Sequence, residues 1–151
     1  VPDDLDLPKG EWRRISIFMY VFDVHVNRAP VAGKVIATSY HEGAFLNASL
    51  DKASEQNERQ NMILEMASGQ PVGVVQIAGL VARRILLEAA VGDYLNIGQQ
   101  YGIIRFGSRV DVWLPATTPV YVLAGQTTIA GETILAGLSG KTDELTGGVC
   151  R

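Results

Sequence analysis

Along this chain, apolar and β-branched residues gather in short unbroken runs rather than at helical spacing, and glycines and polar residues punctuate them. Ile15 to Phe22 is the strongest run and predicts a strand buried on both faces. Val35 to Tyr40 and Met62 to Met66 predict further strands, and Gly69-Gln70-Pro71 turns the chain into another at Val72 to Ile77. Leu50 to Arg59 is polar and charged without an apolar period, which predicts a surface loop or a short helix. Leu80 to Ala90 fits two readings: its residues favour helix, yet it continues the preceding apolar run without a break.

The second half holds a weak internal repeat. Gly92-Asp93-Tyr94-Leu95-Asn96-Ile97-Gly98 and the residues to Ile103 align with Gly125-Gln126-Thr127-Thr128-Ile129-Ala130-Gly131 and the residues to Leu135. Each copy spaces its glycines equally and leads into an apolar strand, a pattern that suits a small pseudo-symmetric β-sandwich in which each copy covers the other. The fold class expected is therefore α+β, mainly β.

Composition narrows the partners. With 151 residues, 47% of them hydrophobic and 19% charged, the chain has the material for one core, and 1–151 reads as a single domain. A net charge of -3 offers nothing to a phosphate backbone, which excludes nucleic acid as the expected partner. The single cysteine, Cys150, gives neither a disulfide framework nor a paired thiolate site for zinc, and a reducing compartment fits. No run approaches the roughly 20 apolar residues of a membrane span. The chain opens Val1-Pro2-Asp3-Asp4 without Met or a signal-peptide pattern, so it reads as entered partway through something longer, with room for an upstream anchor.

Candidate chemistry centres on Gly107-Ser108, set inside the run from Ile103 to Val112. Glycine in a strand marks a bulge, a close backbone approach or local strain, so the dipeptide is either a bulge with a locally bonded serine or a hydroxyl aimed at its own preceding carbonyl. His25 follows the strongest predicted strand between Asp23 and Arg28, where an imidazole serves as a proton shuttle or as a hydrogen-bonded structural group. His41 precedes Glu42-Gly43 in a turn-like context and reads as solvated. The two histidines lack metal-ligand spacing, so no metal is assigned. Ser108 has Phe106 and Val110 where a nucleophile elbow needs glycines, and no Gly-rich phosphate loop occurs.

Several segments together resemble the phosphatidylserine decarboxylases, in particular the short bacterial and archaeal class that includes archaetidylserine decarboxylase-like members. They are Arg14-Ile15-Ser16-Ile17-Phe18-Met19, Asp23-Val24-His25-Val26-Asn27-Arg28-Ala29-Pro30, Asn57-Glu58-Arg59, the run from Val75 to Ile85, Ile104-Arg105-Phe106-Gly107-Ser108-Arg109-Val110-Asp111, and Gly125 to Thr133. The resemblance implies a proenzyme that cuts itself between Gly107 and Ser108, giving a β chain of residues 1–107 and an α chain of residues 108–151. Ser108 would become a covalent pyruvoyl cofactor that forms a Schiff base with the amine of a phospholipid substrate. It implies that His25 serves proton transfer or processing, with Arg28 standing where longer members carry a second histidine. The family's upstream Ser-Pro-Ala-Asp-Gly-like motif has no match, and Asp3, Asp4 and Asp6 stand in the wrong context, as expected if an N-terminal portion is missing.

The resemblance further implies a lipoyl-like sandwich around the repeat, a place at the cytoplasmic face of the cell membrane, and Phe45-Leu46 drawing in the lipid head group. Diacyl and archaeol tails stay undistinguished, and so does oligomeric state, a homo-oligomer included. Two other readings compete: a non-catalytic lipoyl-like binding module, which would need a hairpin-tip lysine absent from 93–97 and 126–130, and a serine hydrolase using Ser108 and His25 without processing.

Overall fold

The structure, a computed structural model, describes residues 1–19, 26–50, 52–80, 85–104, 107–123, 125–126 and 136–137. Nine strands and one short helix are formed among them: β1 (Trp12–Met19), β2 (Val26–Arg28), β3 (Gly33–His41), α1 (Ala53–Gln56), β4 (Arg59–Glu65), β5 (Pro71–Ile77), β6 (Ile85–Leu87), β7 (Tyr94–Leu95), β8 (Gln100–Ile104) and β9 (Ser108–Pro115). They make a six-stranded sheet in the order β1-β9-β5-β4-β3-β7 and a three-stranded sheet in the order β2-β8-β6. Every strand pairing is antiparallel, as the mainly β expectation requires.

The main core lies between the sheets. Val72, Val74, Val110 and Val112 of the large sheet pack there with Tyr101 and Ile104 of the small one. The large sheet's other face carries a second cluster, Ile63, Val75, Ile77 and Trp113, covered by Leu5 of the N-terminal segment and Ala53 of α1. Because both faces are covered, the interior strands lose the alternation of a half-solvated sheet. Burial runs unbroken from Val72 to Ile77 and from Ser108 to Leu114.

That arrangement corrects the reading of the first strand. The strand begins at Trp12, and only Ile15 and Met19 in it are buried, because β1 is an edge strand paired to β9 alone. The doubly buried strands are β5 and β9 instead. The 50–59 segment does carry a short helix, but Asn57 and Arg59 are buried and β4 already begins at Arg59. In the ambiguous 80–90 stretch, Ile85–Leu87 is strand, held by β8, and residues 81–84 lie outside the described residues. The first repeat copy spans β7 and β8, while 127–135 of the second copy lie outside the described residues, and so the lipoyl-like pairing does too.

Candidate functional site around Gly107 and Ser108

The run from Ile103 to Val112 is two strands in two sheets. β8 ends at Ile104 in the small sheet and β9 opens at Ser108 in the large one, so Gly107 sits at the crossing rather than within a strand leading out of the repeat. Its φ of +75° is open to glycine at little cost and strained for any L side chain. The Gly107 N–H donates to the Met19 carbonyl at 2.6 Å, and Met19 and Ser108 are register partners at the end of the β1–β9 pairing. Gly107 is exposed and Ser108 is 1% exposed, which puts their peptide bond at the boundary between a solvent-facing turn and a buried central strand.

Alternation along β9 sends Ser108, Val110 and Val112 toward the small sheet and Arg109 and Asp111 to the opposite face. On the Ser108 face, Gln76 Nε2 donates to Asn27 Oδ1 at 2.7 Å and Asn27 Nδ2 meets Met19 Sδ at 3.5 Å. Gln76 Oε1 is buried and finds no hydrogen-bond partner among the described residues. On the opposite face, Arg109 Nε and Nη2 grip the Asp111 carboxylate at 2.8 and 3.0 Å, and Ser16 Oγ donates to it at 2.7 Å.

Buried polar groups also fix the 44–50 loop. Arg109 Nη1 donates to the carbonyls of Ala48 at 2.8 Å and Leu50 at 3.3 Å. Fully buried Asn57 donates through Nδ2 to the carbonyls of Leu46 and Ala78, both at 2.7 Å, and accepts from the Leu46 N–H at 3.0 Å. The loop carrying half-buried Phe45 and Leu46 is thus tied to the end of β5 and to the second residue of β9.

Among the other candidates, His25 lies outside the described residues, so its expected role is untouched by the geometry. Arg28 is exposed and donates to the Gly98 carbonyl at 2.9 Å. His41 is not simply solvated: its Nε2 lies 3.1 Å from Asp4 Oδ2, a carboxylate that also takes Arg59 at 2.6 and 2.7 Å and Asn61 at 3.1 Å. Burial works to raise the Asp4 carboxyl, but hydrogen bonds from Arg59 and Asn61 and the Arg59 charge bring it below its ordinary value. Arg59 and Asn61 stand opposite Ile77 and Val75 in register, so the Asp4 cluster occupies the face away from Ser108. No group of three or more metal-binding side chains occurs among the described residues.

The matches to known proteins run through this whole arrangement. The phosphatidylserine decarboxylase family model matches residues 6–136. The chain belongs to the phosphatidylserine decarboxylase family. It is 56% identical over 137 residues to a phosphatidylserine decarboxylase proenzyme of Ruegeria pomeroyi, covering 91% of this chain and 63% of that protein. It is 54% identical over 140 residues to one of Rickettsia rickettsii, covering 93% and 61%. The chain therefore spans about three-fifths of the length of the curated relatives it matches. No solved structure gives a significant match.

Family membership bears out the resemblance seen in the motifs. Reading the residues one at a time passed over three features of the site: the Arg109–Asp111 pair, Asn57 as a loop anchor, and Gly79 beside the turn. Arg109 and Asp111, opposite charges two apart in an apolar strand, share a face, which was the available signal.

Proposed function

We propose that the protein of which this chain is part decarboxylates phosphatidylserine to phosphatidylethanolamine with a pyruvoyl group made from Ser108 by self-cleavage. The observation that carries this is the Gly107–Ser108 bond itself, at a positive-φ turn opening a buried central strand within the family match. Ser108 Oγ adds to the Gly107 carbonyl carbon and the C–N bond breaks as its nitrogen takes a proton, leaving Gly107 esterified on the serine oxygen. Loss of the Ser108 α-proton and departure of the Gly107 carboxylate give dehydroalanine, and water then releases ammonia and leaves the pyruvoyl group.

The residues present suit such a group. Ser108 begins its strand, so cutting before it removes no ladder interior, and β9 stays held between β1 and β5, both on the upstream chain. Such a group, held at the start of β9 by residue 108, would supply a ketone for the substrate amine and an electron sink for loss of CO2. The Arg109–Asp111 pair and Asn57 hold the walls of the site, and exposed Gly107 becomes a chain end free to move from the strand's start. His25 is assigned proton transfer: Asn27, two residues along the chain, reaches Met19, the register partner of Ser108. A lipid substrate calls for work at a membrane surface, and the cytoplasmic face is part of the proposal. Among the described residues no helix is long and apolar enough to cross a membrane.

The full-length protein tests the proposal. Intact mass should show two chains divided between Gly107 and Ser108, the downstream one blocked to Edman degradation and reactive with hydrazine, with CO2 released from phosphatidylserine. Ser108→Ala should stay uncut and inactive. A single uncut chain with ordinary Ser108 would refute the reading, and activity on archaetidylserine alone would reassign the substrate. In protein already cut, His25→Ala should slow turnover by about 10²- to 10⁴-fold, as for a lost general acid or base, and turnover at the parent rate would remove His25 from the reaction.

A further inference from the structure

Gly79 follows β5 by two residues and lies against the Gly107 carbonyl so closely that no side chain fits between them. A methyl group at position 79 would overlap the Gly107 carbonyl oxygen and come within 2.8 Å of its carbonyl carbon. Its next neighbour, Ala48 Cβ at 3.6 Å, is in ordinary contact. The backbone leading into residue 79 is fixed through both polar groups of Ala78. The Ala78 N–H donates to the Glu58 carbonyl at 2.9 Å, and the Ala78 carbonyl accepts from Asn57 Nδ2 at 2.7 Å. Gly107 is fixed on its other side by the 2.6 Å bond from its N–H to Met19.

We propose that Gly79 is a positioning residue for self-cleavage: its bare backbone forms the seat that holds the Gly107 carbonyl where Ser108 Oγ attacks it. The inference rests on the self-cleavage proposed above. The seat acts on the first step alone, the addition of Oγ to the carbonyl carbon with transfer of the acyl group from nitrogen to oxygen. A misplacement on the order of 1 Å between reacting atoms costs about 10²-fold in rate, and a methyl group at 79 forces at least such a shift. The obstructed atom belongs to an exposed turn, so the turn gives way and the sheet does not.

The test uses full-length proenzyme and follows the first-order appearance of the two fragments. Gly79→Ala should remain folded, with a cooperative melting transition, and cut about 10²-fold more slowly than the parent. Gly73→Ala is the comparator in β5. There a methyl group meets Leu5 Cδ2 at 2.9 Å, Leu7 Cδ1 at 3.2 Å and Trp113 Cβ at 3.3 Å on the face away from Ser108, so it should lower the melting temperature and leave the cutting rate within about threefold. The step is read in a Ser108→Cys background, where hydroxylamine cleaves an accumulated thioester. Gly73→Ala/Ser108→Cys should be cut by hydroxylamine and Gly79→Ala/Ser108→Cys should resist it. Parental cutting by folded Gly79→Ala, equal hydroxylamine sensitivity of the two double variants, or a Gly79→Ala chain that fails to fold would each overturn the seat. A parent that is never cut is a different result, since it removes the functional reading as well.

Discussion

Breaking the Arg109–Asp111 pair should cost far more than removing it whole. Both side chains are 1% exposed, the guanidinium holds the carboxylate through two nitrogens, and the Phe18 ring lies 5.8 Å from the guanidinium carbon. Asp111→Ala leaves a buried cation without its carboxylate, a change that costs about 3–5 kcal/mol. For a domain of this size each kcal/mol moves the midpoint by about 2–4 °C, so the melting temperature should fall by roughly 6–20 °C. Arg109→Met takes the guanidinium from the buried carboxylate and should cost about as much. In Arg109→Met/Asp111→Leu no buried charge is left, and stability should return to within about 2 kcal/mol of the parent. The assay is a double-mutant cycle by thermal melting in full-length protein carrying Ser108→Ala, so that no sample is cut. With single losses that sum to about 6–10 kcal/mol, a coupling of at least about 4 kcal/mol is expected. The double variant restored to Ser108 should still cut slowly, because the Ala48 and Leu50 carbonyls then lose the Arg109 guanidinium. If the double variant falls by the sum of the single losses, the pair is not a unit and the reasoning fails.

Asn57→Ala removes a fully buried amide that satisfies Leu46 and Ala78, and should destabilise the fold by about 3 kcal/mol while making the 42–50 loop the first site of limited proteolysis. Because the folded Asp4 carboxyl sits below its ordinary 3.8, its contribution is complete above that pH and is lost as pH falls through the lower folded value. With His41 replaced by Gln in both, so that the imidazole beside Asp4 does not contribute, the stability difference between the parent and Asp4→Asn, measured by urea titration, should therefore be constant near neutrality and shrink only below about pH 4; a difference that first grows on acidification would contradict the sign. Tyr101 is 1% exposed, its hydroxyl has no hydrogen-bond partner among the described residues, and burial raises its pKa. Tyr101→Phe should be neutral or stabilising by about 1 kcal/mol in the same urea titration, and a loss of about 2 kcal/mol or more would mean that the hydroxyl is bonded.

β5 was legible because it is covered on both faces and so reads as a near-continuous apolar run, whereas edge and interior strands were not told apart. Ile15 to Phe22 has the composition of an interior strand, yet β1 lies at the sheet edge, since neighbours are set by topology and not by the strand's own residues. The run from Ile103 to Val112 misled for a related reason: hydrophobicity is continuous across a change of sheet, and only the backbone shows that Gly107 is the crossing. Ser108 could be singled out because the chemistry proposed for it is local to one dipeptide and its surrounding motif. The groups that place it were hidden because each acts across a long sequence gap, Asn57 on Ala78 and Arg109 on Ala48. Gly79 shows the limit most clearly. Its contribution is the absence of a side chain opposite a carbonyl 28 residues later, so nothing at position 79 itself reveals it. For a bond proposed to cut itself, the space kept empty around the carbonyl is as much a part of the candidate site as the hydroxyl proposed to attack it.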